Sequence, residues 1–481
     1  MEVTLQYQFL FFNESLFKVL ESLRWNTMPT NTAVNPIPHM LYGIEVGTHC
    51  WPVHLLNVQF SQDSSGDVRY MSPGIVVHEW YGVHERLQKL HQQAVLEAGS
   101  LREESVKEAF ISHTKVSFLV YEAICISVWR EEVFPLLLKF EPNPKTAFMP
   151  YLILYHEATA IALLEVILFH HDSCEALEET VVDLIDYCAF AVARLEMLSK
   201  KLSDDEDIKE RSIIEQLQRQ QLEIAFDIGI RSISILNYLA DKLESLPLSA
   251  TSRMYATHDV PMLFQHLIIT SPWTRKTAKG KIQKYIDGKW QEIEGDDLVK
   301  LTRTEGQAWL GIRQLLINPR CAAHYELTEY RRNQFIKLQG YLNDILLDQL
   351  SPLIPFKQWI CHIAIHNPTK SSDRPIIVEI LPQIRNSLLN RKKEEWEIIA
   401  KNQAEIIYNA DEKELMQVAK SFCSTYDLDV LQALSQDKRN CSFCGDKATK
   451  RCSRCKVTWY CGRECQVQHW PSHRSECEAK V

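Results

Sequence analysis

The chain has 481 residues, room for roughly two to four domains, and 46% hydrophobic with 24% charged residues is the composition of an ordinary globular protein. A net charge of −9 argues against general affinity for nucleic acid or anionic membrane. Glycine is scarce, 15 residues against a usual share of about 7%, and Leu, Glu, Gln and Lys are abundant, so long helices with short turns are expected.

The N-terminal run MEVTLQYQFLFFNESLF has no basic region before its apolar stretch and no small-residue cleavage site. No signal peptide is expected. Residues 1–75 read as a poorly defined N-terminal extension, with some strand character in GIEVGTHCWPVHLLNVQF and a loop in SQDSSGDVRYMSPG.

From about Val76 to residue 437 the pattern is that of a helical body. Helices are expected over 101–139, 150–170, 206–245, 297–318, 324–350, 376–409 and 411–436. The breaks at 140–148, 202–207, 244–252 and 367–375 are rich in Pro, Ser or Asp. The most apolar run, PYLILYHEATAIALLEVILF, is interrupted by His156, Glu157 and Glu165. A membrane span needs about 20 nearly uninterrupted apolar residues, so a buried helix is expected here.

A further helix is expected over 172–199, capped by Asp172 with Glu175 three residues on. Leu177, Val181, Leu184, Ile185, Cys188, Val192 and Leu195 then form one apolar stripe at spacings of three and four. KIQKYIDGKWQEI (281–293) breaks the helical pattern. Its Asp287-Gly288 pair suits a type I′ turn, which would set Tyr285 across from Trp290 in a β-hairpin. The fold class is therefore all-α: an irregular helical bundle or armadillo/HEAT-like α-solenoid body with one small β-hairpin insertion, followed by a separate tail.

That tail, residues 441–477, holds seven of the 14 cysteines. In the reducing compartment expected for a chain without a signal peptide, these are thiols or metal ligands rather than disulfides. Cys441, Cys444, Cys452, Cys455, Cys461, Cys465, His473 and Cys477 make four pairs, enough for two closed tetrahedral Zn²⁺ sites. A redox Cys452-x2-Cys455 pair would leave the other six unexplained. Cys461 with Cys465, and His473 with Cys477, are four apart and would each project from one helix face. Pro471 would open the second of two short helices. Closed zinc sites hold shape rather than perform chemistry, and an apparent ~10–16 kcal/mol per site is ample to fold so small a piece. Spacing alone permits sequential sharing of the ions (441/444/452/455 and 461/465/473/477) and interleaved sharing alike.

Between Cys441 and Val481, eight Lys/Arg, four Asp/Glu, seven thiolates and two Zn²⁺ leave a net charge near +1. That is too weak a field to track phosphates, so protein binding is favoured.

Elsewhere, signs of chemistry are thin. No GxxxxGK[ST], GxGxxG or GxSxG occurs. His156-Glu157 begins an HExxH, but Ala160 stands where the second histidine belongs. His170-His171-Asp172 with Cys174 is read as helix-junction polarity, and His362/His366 as core or surface histidines. No enzyme activity is expected. NRKKEE (390–395) is too short and too neutralised for a nuclear signal.

The tail resembles the MYND-type zinc finger in Tyr460-Cys461, Cys465-Gln466, Trp470, His473 and Cys477. The resemblance implies interleaved ligation: Cys441, Cys444, Cys461 and Cys465 on one zinc, Cys452, Cys455, His473 and Cys477 on the other, with His469 excluded. It also implies a shallow groove for proline-containing peptides at Gln466 and Trp470; a mini-core role for Trp470 is the competing reading. Many MYND proteins are SET-domain methyltransferases, whose cofactor stretches are absent here. Others are nuclear corepressor scaffolds, the alternative reading.

The body adds YHEATAIALLEVILFHHDSCEALEETVVDLIDYC (155–188), LSATSRMYATHDVPMLFQHLIITSPWTRK (248–276), LLDQLSPL (346–353) and TYDLDVLQAL (425–434). With KRCSRCKVTWYCGRECQVQHW (450–470), these resemble the dynein-arm assembly factors of the MYND-finger class. That resemblance implies a cytoplasmic adaptor or co-chaperone, at centriolar satellites or dynein assembly particles, for preassembly of axonemal outer and inner dynein arms. The partners it implies are a leucine-rich-repeat dynein assembly factor, the ninety-kilodalton heat-shock chaperone machinery, and dynein intermediate and heavy chains.

Overall fold

The computed structural model describes residues 61–62, 68–69, 73–100, 104–144, 146–204, 211–277, 280–318, 324–365, 380–408, 418, 441–444, 448, 450–452, 454 and 458–478. Nearly all of the expected helix at 411–436 and of the 1–75 extension, together with Cys455 and His366, lie outside these residues. The chain divides into two compact units, residues 1–425 and 426–481.

Among the described residues the first unit starts with a minimal antiparallel pair, β1 (Ser61–Gln62) and β2 (Val68–Arg69), and is then mostly helical. Helix α1 (Pro73–Ser100) precedes a segment expected as one long helix, which is instead three: α2 (Ser105–Ser112), α3 (Val116–Glu132) and α4 (Phe134–Phe140). Thr114 takes the left-handed conformation at φ 53°, and α2 and α3 meet at 89°. Pro135 falls in the first turn of α4, where a missing N–H costs nothing.

Helix α5 (Phe148–Ile167) is long and apolar enough to cross a membrane, yet 94% of its most apolar window is buried inside the protein. Every residue but Val166 is buried, because α1, α3 and α9 (Ile213–Asp241) pack around it. Between them run α6 (His171–Glu175), α7 (Val181–Ala193) and α8 (Leu195–Asp204).

This region departs from the single helix expected over 172–199. Glu178 is left-handed at φ 49° and breaks it before α7. Asp172 is no cap either; His170 holds that position, while Asp172 accepts from Lys107 Nζ at 3.1 Å. The apolar stripe itself holds: Leu177, Val181, Leu184, Ile185, Cys188, Val192 and Leu195 are all buried. Each fully buried aliphatic among them is worth about 1.5–3 kcal/mol.

Helix α9 starts at a capping box, in which Ser212 Oγ accepts from the Glu215 N–H and Glu215 answers the Ser212 N–H. It packs on α5, α7, α8 and α12 (Arg303–Ile317). A solenoid repeat touches only its sequence neighbours, so this arrangement is an irregular bundle. At its closest approach to α8, a Cβ added to Gly229 would lie 2.7 Å from Leu195 Cδ2.

After α10 (Leu248–Ser252) and α11 (Val260–Thr270) comes the β insertion. Tyr285 on β4 (Ile282–Ile286) faces Trp290 on β5 (Lys289–Glu292), joined by Asp287 at φ 49° and Gly288 at φ +79°. A third strand, β3 (Thr274–Lys276), pairs antiparallel with β4 and was not expected. Its residues, Thr-Arg-Lys, are too few and too polar to alternate legibly. The body continues through α12, opened by a second capping box at Thr302, and the shorter α13 (Glu329–Ile336), α14 (Asp344–Gln349), α15 (Ile354–Ile365), α16 (Ile384–Leu389) and α17 (Lys393–Tyr408). The expected helices over 324–350 and 376–409 are thus each broken.

The second unit is a small hairpin, β6 (Lys450–Arg451) with β7 (Trp459–Tyr460), followed by α18 (Arg463–Glu478). Its core is Cys441, Ala448, Cys452, Tyr460 and Cys477.

Candidate metal centre

In the tail, backbone geometry brings distant cysteines together. Residues 442–444 form a turn, and the Ser442 N–H donates to Trp459 O at 2.9 Å, tying the first knuckle to β7. The Cys452 N–H donates to Thr458 O at 2.9 Å across the hairpin. Helix α18 then carries Cys465, His473 and Cys477.

Cys441, Cys444, Cys461 and Cys465 converge, their sulfurs all within 4.8 Å of one another. Cys444 Sγ lies 3.5 Å from Cys461 Sγ, and Cys461 Sγ 3.4 Å from Cys465 Sγ. A tetrahedron with Zn–S of about 2.3 Å has edges of about 3.8 Å, so the donor set fits the ion. Cys452, His473 and Cys477 form a second cluster within the same limit, with Cys452 Sγ 3.9 Å from Cys477 Sγ. The grouping is interleaved: Cys441 and Cys444 face Cys461 and Cys465, across the hairpin from Cys452. Two Zn²⁺ are the cofactors this chemistry fits.

Electrostatics agree with a cation at the first cluster. Burial would raise the Cys441 thiol, but the N–H groups of Cys444, Cys461 and Phe443 bring it down to about 6. The Cys465 thiol goes the opposite way, raised by hydrogen bonding to Cys461, by burial and by the sulfurs of Cys444 and Cys441. Four crowded sulfurs cannot all be thiolates without positive charge among them. Zinc supplies that charge and closes the fold.

Two local expectations are corrected. Cys461 stands two residues ahead of α18, so of the pair Cys461/Cys465 only Cys465 projects from the helix. The two short helices are one, with Pro471 inside it. Pro471 removes the hydrogen bond to the Val467 carbonyl, and Val467 is 63% exposed, so water can serve that oxygen.

His469 belongs to neither cluster. Its Nδ1 pairs with Tyr460 Oη at 3.0 Å and its ring stacks on His473 at 5.8 Å. Thr458 Oγ1 lies 3.4 Å from His473 Nδ1, an outer partner of the kind that fixes a ligating imidazole. Neither contact was legible in the spacing. Gln466 and Trp470 are both half-buried on α18; Trp470 packs against the mini-core with its ring 6.0 Å from His473. Beside them, Phe443 and Val467 are exposed apolar residues.

The motifs at 156–157 and 170–174 are tied into hydrogen-bond networks of the body. His156 is fully buried, with Nε2 2.9 Å from Glu122 and Nδ1 3.0 Å from Nδ1 of His84. Glu157 is clamped by Arg130 through two bonds of 2.9 and 3.0 Å and accepts from Tyr187 Oη at 2.7 Å. His170 pairs with Glu104 at 2.7 Å, and Cys174 Sγ donates to Leu168 O. Burial pushes the Cys174 thiol up to about 12, which makes it inert.

Comparison with known proteins agrees with this geometry. The MYND finger family matches residues 441–477. The zinc finger MYND domain-containing protein 10 homolog of Drosophila melanogaster is 38% identical over 425 residues, spanning 83% of this chain and 93% of the relative. Two further similarities are local. The histone-lysine N-methyltransferase ASHR1 of Arabidopsis thaliana is 57% identical over 30 residues, 6% of each chain. Protein CBFA2T2 of Homo sapiens is 24% identical over 109 residues, 23% of this chain and 17% of the relative. No solved structure matches.

Proposed function

The chain belongs to the family of the zinc finger MYND domain-containing protein 10 homolog, and from that premise we propose that it is a non-enzymatic adaptor or co-chaperone for cytoplasmic preassembly of axonemal outer and inner dynein arms. The observation that carries the proposal is the reach of the similarity. It spans 93% of the relative rather than the finger alone, so the helical body is shared together with its zinc-bearing tail.

The finger is the protein-binding head in this reading. Cys441, Cys444, Cys461 and Cys465 hold one zinc; Cys452, His473 and Cys477, completed by Cys455, hold the other. Both ions are coordinatively closed, so they shape a surface and activate no water. Gln466 and Trp470, one helical turn apart, take a short peptide segment of a partner. The leucine-rich-repeat assembly factor, the ninety-kilodalton heat-shock machinery and the dynein intermediate and heavy chains are the proposed partners.

Disrupting the gene in multiciliated cells tests the proposal. Cilia should form but lack dynein arms, with the tagged protein in the cytoplasm. Normal arms would refute it, and a nuclear tagged protein would favour the corepressor reading.

A further inference from the structure

The helical body contains a cavity of about 520 Å³ between α1, α5, α9, the β4–β5 turn and the start of α12. Nothing in the adaptor reading uses it. Its size is that of a small-ligand site. Apolar Ala158, Ala162 and Ile230 stand in its walls among polar and charged side chains, and its charges are unequal in number. Four carboxylates, Glu104, Glu165, Asp227 and Asp287, line it against two guanidiniums, Arg231 and Arg303. His170 and Glu104 pair with each other at 2.7 Å, which leaves Glu165, Asp227 and Asp287 against the two guanidiniums. His91 adds no charge, since burial and Arg231 hold its pKa down to about 3. A cleft with a surplus of one sign between low-dielectric walls concentrates the opposite sign.

The mouth already holds a cation of the chain's own. The Arg303 side chain, 64% exposed, reaches back to place Nη2 3.0 Å from Glu165 Oε1 and 3.4 Å from Tyr238 Oη. Phe169, 63% exposed, stands edge-on to Tyr238 at 5.6 Å and offers an aromatic face at the same opening. Deeper in, Arg231 is fixed between Glu165 at 2.9 Å and Asp227 at 2.7 Å, so it is framework rather than occupant.

We propose that this cavity is a binding site for an organic cation, an ammonium or guanidinium on a short stem, and that Arg303 occupies the outer seat as a self-ligand which the incoming cation displaces. Glu165 and Tyr238 receive the charged head, and Phe169 flanks it by cation–π contact. The source is either a free polyamine or a basic side chain of a protein partner.

Isothermal titration calorimetry of the full chain tests this with three probes: N-acetyl-arginine amide, spermidine, and N-acetyl-citrulline amide as the uncharged isostere. Saturable binding of either cation without binding of the citrulline compound is expected. Tighter binding of the arginine amide identifies a peptidyl source, and tighter binding of spermidine a polyamine. Arg303→Ala should bind roughly tenfold tighter, the factor by which a seat filled nine-tenths of the time lowers apparent affinity. Phe169→Ala, at an exposed position that leaves the fold intact, should weaken binding. Equal binding of arginine and citrulline amides, no saturable heat from either cation, or unchanged affinity in Arg303→Ala would each overturn the proposal.

Discussion

Cys444 Sγ sits 3.5 Å from Cys461 Sγ although 17 residues and a hairpin containing Cys452 separate them. That crossing braces the tail: the first cluster's two pairs flank Cys452 in sequence, and Cys452 and the His473/Cys477 pair flank Cys461 and Cys465. Cys461→Ala should therefore release both clusters and unfold the tail, while the body keeps its far-UV helicity and melting temperature. A body that melts early in this variant would contradict the division into two units.

Trp470 packs on the edge of the mini-core rather than inside it. Trp470→Ala should weaken capture of partner peptides while the protein still carries two zinc ions. Metal analysis decides between the roles, since lost zinc would make the tryptophan a structural plug.

The finger was the part of the molecule most legible in sequence. Ligand spacing is set by local chain geometry, and four pairs of donors admit few arrangements. Spacing left the pairing open because the two-residue strands β6 and β7 and the Ser442–Trp459 bond, which decide it, are too short to leave a pattern in the sequence. In the body the stripe from Leu177 to Leu195 was readable, as was the Tyr285–Trp290 pairing. Helix continuity was not: Thr114 and Glu178 break helices by adopting positive φ, which neither residue type advertises. The His84–His156–Glu122 chain joins three helices and has no signature in any one of them.

Packing at Gly229 gives a prediction about the body alone. Gly229→Ala would press a methyl onto Leu195 and the Ala191 carbonyl, 2.7 and 3.1 Å away. Overpacking of this kind costs about 1–3 kcal/mol, more than the few tenths to 1 kcal/mol by which alanine favours a helix over glycine. Chemical denaturation should show net destabilisation; a more stable variant would mean that α8 can yield.

Acid should weaken the body through His91. Burial and then Arg231 depress its pKa to about 3, below the ordinary value of 6.5. Between those values the unfolded chain binds the proton and the folded chain does not, so stability is complete above 6.5 and falls as pH drops. The slope approaches about 1.4 kcal/mol per pH unit for one histidine. Comparing wild type with His91→Gln between pH 7 and 5 isolates the effect: the variant should lose less stability over that range. Parallel pH profiles would refute it.

Zinc K-edge X-ray absorption of the purified full chain tests the cross-braced double-zinc tail most directly. Two ions per chain should share seven sulfurs and one nitrogen, with Zn–S near 2.3 Å, about the usual length. A first shell dominated by oxygen, a single ion per chain, or no bound zinc would contradict it.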